Sequence, residues 1–311
     1  MGDSSIGVAD ASTRRSRPEL LVVGAASRDI DASDPRGWRL GGTVSYASLT
    51  AARLGLRVRA LVGADELAAS ADELDHLRTA GADVRVVPLA SGPVFENRQD
   101  GNARVQHVHA ASDALPAAAL PVAWRSPSAV LLGPVAGELR DEWATALPSG
   151  CFVALAWQGL LRELVPGGPV EMQPLTATPL LRRANVIFVS AEDVAGGGPQ
   201  LGELIRDDQE LFVTHGDKGA LHFRPAAGAR RVRFIPPLPP RPAIDTTGAG
   251  DVFLAAYLAA RLAAPRLAGT ADDWRLDAIA AAAASLNVTV STLGDVPGLR
   301  ELCNALLTRQ A

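Results

Sequence analysis

The sequence predicts an α/β fold, a mostly parallel sheet covered by helices on both faces with a small β lid. Three observations carry this. Short apolar runs alternate with helical segments along most of the chain. One stretch, PVFENRQDGNARVQHVHA, breaks that rhythm and reads as a hairpin. The 311 residues, 48% hydrophobic and 21% charged, suit one large soluble α/β domain, with or without a small appendage.

In chain order, ELLVVGAAS reads as a buried strand, and TVSYASLTAARLGL as a helix stopped at Gly55. RVRALVGAD is a second strand, ADELDHLRTAG a helix closed by Gly81, and DVRVVPL a third strand. The hairpin turns at Asp100-Gly101-Asn102, a strong turn signal. SAVLLGPV, DEWATALP, CFVALAW, NVIFVSAED and ELFVTHG restore the alternation. RRVRFIPPLPPRPAID is a strand with a proline-stiffened exit, and VFLAAYLAARLAA is a helix free of internal glycine and proline.

A net charge of −4 gives no reason to expect nucleic acid or an anionic membrane as partner. Two distant cysteines, Cys151 and Cys303, argue against a disulfide framework and for a reducing cytoplasm. Residues 1–18 are polar, lack the apolar core of a signal peptide, and read as a disordered leader to a domain at 19–311. The alanine-rich run at 278–284 is too short to span a bilayer.

The chemistry concentrates in AIDTTGAGDVFLAAYL. A helix begins at or just before Asp251, so its unpaired amides and positive end face the preceding turn. Gly248, Ala249 and Gly250 carry almost no side chain and let an anion approach those amides. The same field favours the Asp251 carboxylate, which could accept a proton from an attacking hydroxyl. A cap on a tight turn is the bland alternative for this pattern. There is no GxxxxGK[ST], and the first strand is not followed by GxGxxG.

DTTGAGDVFLAAYL closely resembles the C-terminal signature of the ribokinase-like (PfkB) carbohydrate kinases. LGGTVSYASLTAARLG, LFVTHGDKGAL and AAAAASLNVTVSTLGDVPGL resemble further family segments in the right order. The resemblance implies a ribokinase-like fold with lid elements near 29–40 and 92–111, through which two copies could pair. It implies ATP-dependent transfer of a phosphoryl group to a small sugar or cyclic polyol. Asp251 would be the general base, with Gly248, Ala249 and Gly250 stabilising the moving phosphoryl. Acceptor binding would fall to Asp29, with Asp31 its rival, and to Gly41 and Gly42. Thr214, Gly216, Lys218, Gly219 and Asn287 would lie at the nucleotide; an exposed turn lysine is the plainer reading of Lys218. Asp245 and Thr247 match positions that bind a monovalent cation such as K+ in some members, and ordinary turn chemistry explains them equally well.

The chain also departs from the family. Tyr46 stands where an asparagine usually touches the sugar. VALAWQGLLRE, with Gln158 as a candidate acceptor contact beside Trp157, resembles the inositol-kinase-like branch. SAED replaces Asn-x-x-Glu, so that Ser190 and Asp193 would organise Mg2+ through water. His107 and His109 lack a third metal ligand. Two alternatives stay open: a nucleoside kinase of the same fold, with Tyr46 and Trp157 stacking on a base, and a catalytically silent sugar or nucleotide sensor.

Overall fold

The computed structural model describes residues 19–100, 103–195, 198–226, 229–237, 243–263, 274–290 and 292–307. The expected leader at 1–18, the hairpin tip at Gly101-Asn102 and the proline-rich 238–242 lie outside the described residues. Strand β1 (Glu19–Ala25) is buried along its whole length, so its apolar run must be covered on both faces. Two short strands, β2 (Arg28–Ile30) and β3 (Trp38–Leu40), precede α1 (Thr43–Arg53) and β4 (Arg57–Ala64). Helices α2 (Glu66–Ala69) and α3 (Glu73–Thr79) lead to β5 (Asp83–Pro88). The hairpin is β6 (Val94–Asp100) and β7 (Ala103–Ala110). Then come β8 (Ala129–Leu132), α4 (Glu142–Ala146), β9 (Phe152–Ala156), β10 (Arg162–Glu163) and β11 (Glu171–Met172). Next follow α5 (Pro179–Arg183), β12 (Val186–Ser190), α6 (Gly198–Leu204), β13 (Glu210–Thr214), β14 (Ala220–Ala226) and β15 (Ala229–Ile235). Helices α7 (Ala249–Ala263), α8 (Trp274–Asn287) and α9 (Leu299–Leu307) close the chain.

The main sheet has nine strands in the order β15-β14-β13-β12-β9-β8-β1-β4-β5. Strands β5 through β13 run parallel, and β14 and β15 add an antiparallel edge. A second sheet, β3-β2-β6-β7, is the lid expected from the hairpin. The outer edge of β7 is partly occupied by the chain itself. Val108 and Gln106 exchange backbone hydrogen bonds of 2.7–2.9 Å with Gly167, Gly168 and Val170. A second copy pairing by this strand would have to displace them.

Alternation along β1 divides the core. Leu20 and Val22 face α1, α7 and α8, while Leu21 and Val23 face Trp143, Trp157, Leu180 and Leu181 on the other side. Helix α7 is anchored through its middle. Tyr257 and Arg261 both bond Glu210, at 2.6 and 2.8 Å. Burial works against the Glu210 charge, but His222, Arg261 and Tyr257 outweigh it and hold its pKa down at about 2. Among the described residues no helix is long and apolar enough to cross a membrane.

Candidate active site

The described ends of β1, β12 and β13 that carry the predicted residues are the carboxyl ends of parallel strands, where open α/β sheets bind ligands. The amino end of α7 points its first turn into this cleft. Gly248 has φ +73°, and a Cβ there would fall 2.4 Å from the Tyr46 ring, so both backbone and neighbour require glycine. A Cβ on Gly250 would meet nothing within 4 Å, so this residue opens onto free space. The Ala249 amide makes a long turn bond of 3.3 Å to the Thr246 carbonyl. Among the described residues the Gly248 and Gly250 amides have no bonded carbonyl. Among the described residues, two of the three expected anion-hole donors thus have no backbone acceptor.

Asp251 lies in the first turn of α7. Its pKa is pushed up to about 6: burial penalises the charge, Thr43 opposes that, Asp29 raises it further and Arg162 lowers it. The helix field alone suggested a favoured carboxylate, and desolvation outweighs it. The group still ionises below neutral pH, close to the optimum for a base working there.

On the acceptor side, Gly42 (φ +90°) starts α1, and a Cβ on Gly41 would lie 2.4 Å from Asp29 Oδ2. Asp29 also accepts from Ser27 Oγ at 3.0 Å. Its charge is felt by both Asp251 and Tyr46. Asp31 is tied elsewhere, to the Ser33 amide and hydroxyl and to Arg39 at 2.6 Å. Of the two candidates, Asp29 is the one whose charge acts on Asp251. The Tyr46 phenol is buried, and its pKa is raised by burial and by Asp29, Asp245 and Asp251, so it remains a neutral hydrogen-bonding group. Trp157 lies wholly in the core beneath the site and offers no stacking face.

Gln158 donates to Asp193 Oδ2 at 3.0 Å, and Arg162 pairs with Asp193 Oδ1 at 3.2 Å. Arg162 also donates to Gln106 of β7 at 2.9 Å, which ties the lid to the cleft. Its Nε is buried with no acceptor among the described residues. Sequence reasoning passed over Arg162, although the segment VALAWQGLLRE was singled out; its spacing of four from Gln158 was the available signal. Ser190 Oγ accepts the Glu192 amide at 3.3 Å. Both Asp193 oxygens therefore have side-chain partners within the cleft. The Asp245 carboxylate caps the Thr247 amide at 2.9 Å, and the Thr247 carbonyl receives Asn287 Nδ2 at 3.0 Å. Among the described residues no group of three acidic, His or Cys side chains could hold a metal.

Beside α7 lies an open cleft of about 120 Å³. Thr214, Gly216, Gly219, Ile235, Pro237, Gly250, Phe253, Ala281 and Ala284 are among its walls. Gly219 (φ +96°) lies so close to β15 that a Cβ would fall 2.3 Å from the Ile235 carbonyl oxygen. Lys218 is exposed outside the cleft. Asn287 is buried and braces the turn before α7 rather than lining the cleft.

Residues 182–297 match the family model of the pfkB family carbohydrate kinases. A fructokinase with bound ATP from Xylella fastidiosa superposes with a TM-score of 0.72 at 17% identity, over 94% of this chain and 99% of that one. A pyrophosphate-dependent kinase of the ribokinase family, complexed with a pyrophosphate analog and myo-inositol, gives 0.70 at 19%, over 92% and 99%. Ribokinase from Cryptococcus neoformans var. grubii in complex with ADP gives 0.66 at 18%, over 93% and 99%. No curated protein matches the chain by sequence. The resemblance read from the motifs is borne out: the chain has the ribokinase-like fold, and its C-terminal part carries the PfkB signature of a phosphotransferase.

Proposed function

We propose that this chain transfers the γ-phosphoryl group of ATP to a hydroxyl of a small sugar or cyclic polyol, with Asp251 as general base. The observation that carries this is the position of one carboxylate. Asp251, with its pKa at about 6, feels the charge of Asp29, and the adjoining Gly250 opens onto free space. An acceptor hydroxyl held by Asp29 would give its proton to Asp251 and attack the phosphoryl group. The α7 amides and the Arg162 guanidinium would meet the charge on that group. No step is assigned to a metal held by the chain.

The polyol reading is supported by the polar character of the acceptor side, where Asp29, Gln158, Arg162 and the Tyr46 hydroxyl suit several hydroxyls. The nucleoside alternative loses support, because Trp157 is core and the Tyr46 ring packs on Gly248. ATP is favoured over pyrophosphate by the apolar walls Ile235, Phe253, Ala281 and Ala284, which a bare pyrophosphate would leave unfilled. A reducing cytoplasm is the compartment we propose, from the free Cys151 and Cys303.

The test is acceptor-dependent ADP release with myo-inositol, fructose, ribose and adenosine, repeated with pyrophosphate as donor and phosphate release as readout. Turnover with ATP and a sugar or inositol is expected. Preference for adenosine would move the assignment to a nucleoside kinase. Retained ATP binding without turnover on any acceptor would make the protein a sensor.

A further inference from the structure

His222 of β14 is buried, its ring stacked on Phe212 with centroids 3.7 Å apart. Its Nδ1 is 3.0 Å from Asp277 Oδ1, and its Nε2 is 3.1 Å from Glu210 Oε2. Both carboxylates are buried as well. An ionised carboxylate only accepts hydrogen bonds, so both contacts are made together only when each ring nitrogen carries a proton. The other charged or titratable groups around the ring come from three elements. Arg261 and Tyr257 of α7 bond Glu210 at 2.8 and 2.6 Å. Arg233 of β15 lies 3.7 Å from Asp277, and Arg224 of β14 lies 3.9 Å from Glu210. Strands β13, β14 and β15 and helices α7 and α8 thus each contribute to this cluster. The same five elements wall the cleft beside α7, through Thr214, Ala220, Ile235, Phe253 and Ala281. Asp277 precedes Ala281, Ala284 and Ser285 of that wall by one or two helical turns, on the same face of α8. Residues 280–284 of α8 are all alanine, so side-chain shape does little to fix the depth at which this helix packs. Asp277 gives it a directional contact.

We propose that His222 is a positioning residue for the donor site: donating from both ring nitrogens, it ties Asp277 of α8 to Glu210 of the sheet and so sets the distance of the Ala281–Ala284 wall from a bound nucleotide base. This rests on the proposed reading of that cleft as the ATP site. Pyrophosphate has no base and would not reach the α8 wall. The tie therefore matters for ATP and not for pyrophosphate.

The test has two arms, both on the full chain. The first is imidazole ¹⁵N NMR of wild type at neutral pH. His222 is the buried one of the five histidines, so its signals are those protected from solvent exchange. Both of its ring nitrogens should carry a proton, and one bare nitrogen overturns the proposal. The second arm measures ATP and pyrophosphate affinity by titration calorimetry in wild type, Asp277→Leu and Asp277→Asn. Leucine removes the acceptor on α8, and asparagine keeps one. Asp277→Leu should weaken ATP binding roughly tenfold and leave pyrophosphate within about twofold, while Asp277→Asn should stay within about threefold of wild type for both. Unchanged ATP affinity in Asp277→Leu, or an equal loss for both ligands, overturns the proposal. Should the leucine variant not fold, the proton count on the wild-type ring decides. A wild type that binds no ATP overturns the nucleotide reading and the role given to the tie, while two ring protons would leave the tie itself standing.

Discussion

The donor side of the cleft presents Ile235, Pro237, Phe253, Ala281 and Ala284, with polar groups supplied mainly by backbone near Gly216, Gly219 and Gly250. The acceptor side sets Asp29, Tyr46, Arg162 and Asp251 in one another's electrostatic reach. The donor walls fall within the segment that matches the family model, 182–297, whereas Asp29, Tyr46, Gln158 and Arg162 all precede it. Shape and backbone amides tolerate many sequences as long as small residues stay small. Side-chain charges tuned to one set of hydroxyls do not. On the proposed function, acceptor recognition begins where the family match ends.

Breaking the acceptor side at Asp251 should have the largest effect. Asp251→Asn is expected to lower turnover by about 10²–10⁴, the scale for removing a general base, with ATP affinity from nucleotide titration unchanged. Arg162→Met should come next, with a loss of roughly 10–10² in kcat/KM, the worth of hydrogen bonds to charged groups. Because Arg162 lowers the Asp251 pKa, the acid limb of this variant should also move upward. On the donor side, Gly250→Val places its side chain in open space. It should fold normally and raise the KM for ATP by on the order of tenfold, about 1.4 kcal/mol. Equal effects of that variant on ATP and pyrophosphate turnover would show that the apolar walls do not select the donor.

The smallest expected effect is on stability. Asp251 binds its proton more tightly in the folded chain than in the unfolded one, since its pKa rises from 3.8 to about 6. Its contribution to stability is therefore fully present below the unfolded pKa and is lost as pH rises through the folded value. Asp251→Asn escapes that loss and should be more stable than wild type at pH 7 by about 1–2 kcal/mol, discounted for partial exposure. The difference should vanish near pH 4 in parallel denaturant titrations.

Much of this was legible in the sequence because it is local. The apolar runs of β1, β4, β8, β12 and β13 and the hairpin carry their own periodicity, and the glycine turn before α7 is contiguous with Asp251. The three-residue strands β2 and β3 are too short to show a period, and they form only because the hairpin offers β2 an edge. Arg162 and Gln106 escaped notice because their roles exist only once distant segments meet. Trp157 and Asn287 carried expectations of ligand contact, and packing gave them others. The helix dipole was read from sequence, but the desolvation that outweighs it needs the packed chain.

The most direct test of the account is the pH dependence of kcat/KM for ATP-driven phosphorylation, wild type beside Asp251→Asn. Wild type should lose activity as pH falls through about 6, the Asp251 pKa in the free protein, and the residual activity of the variant should lack that limb. The same acid limb in both proteins would contradict Asp251 as the base.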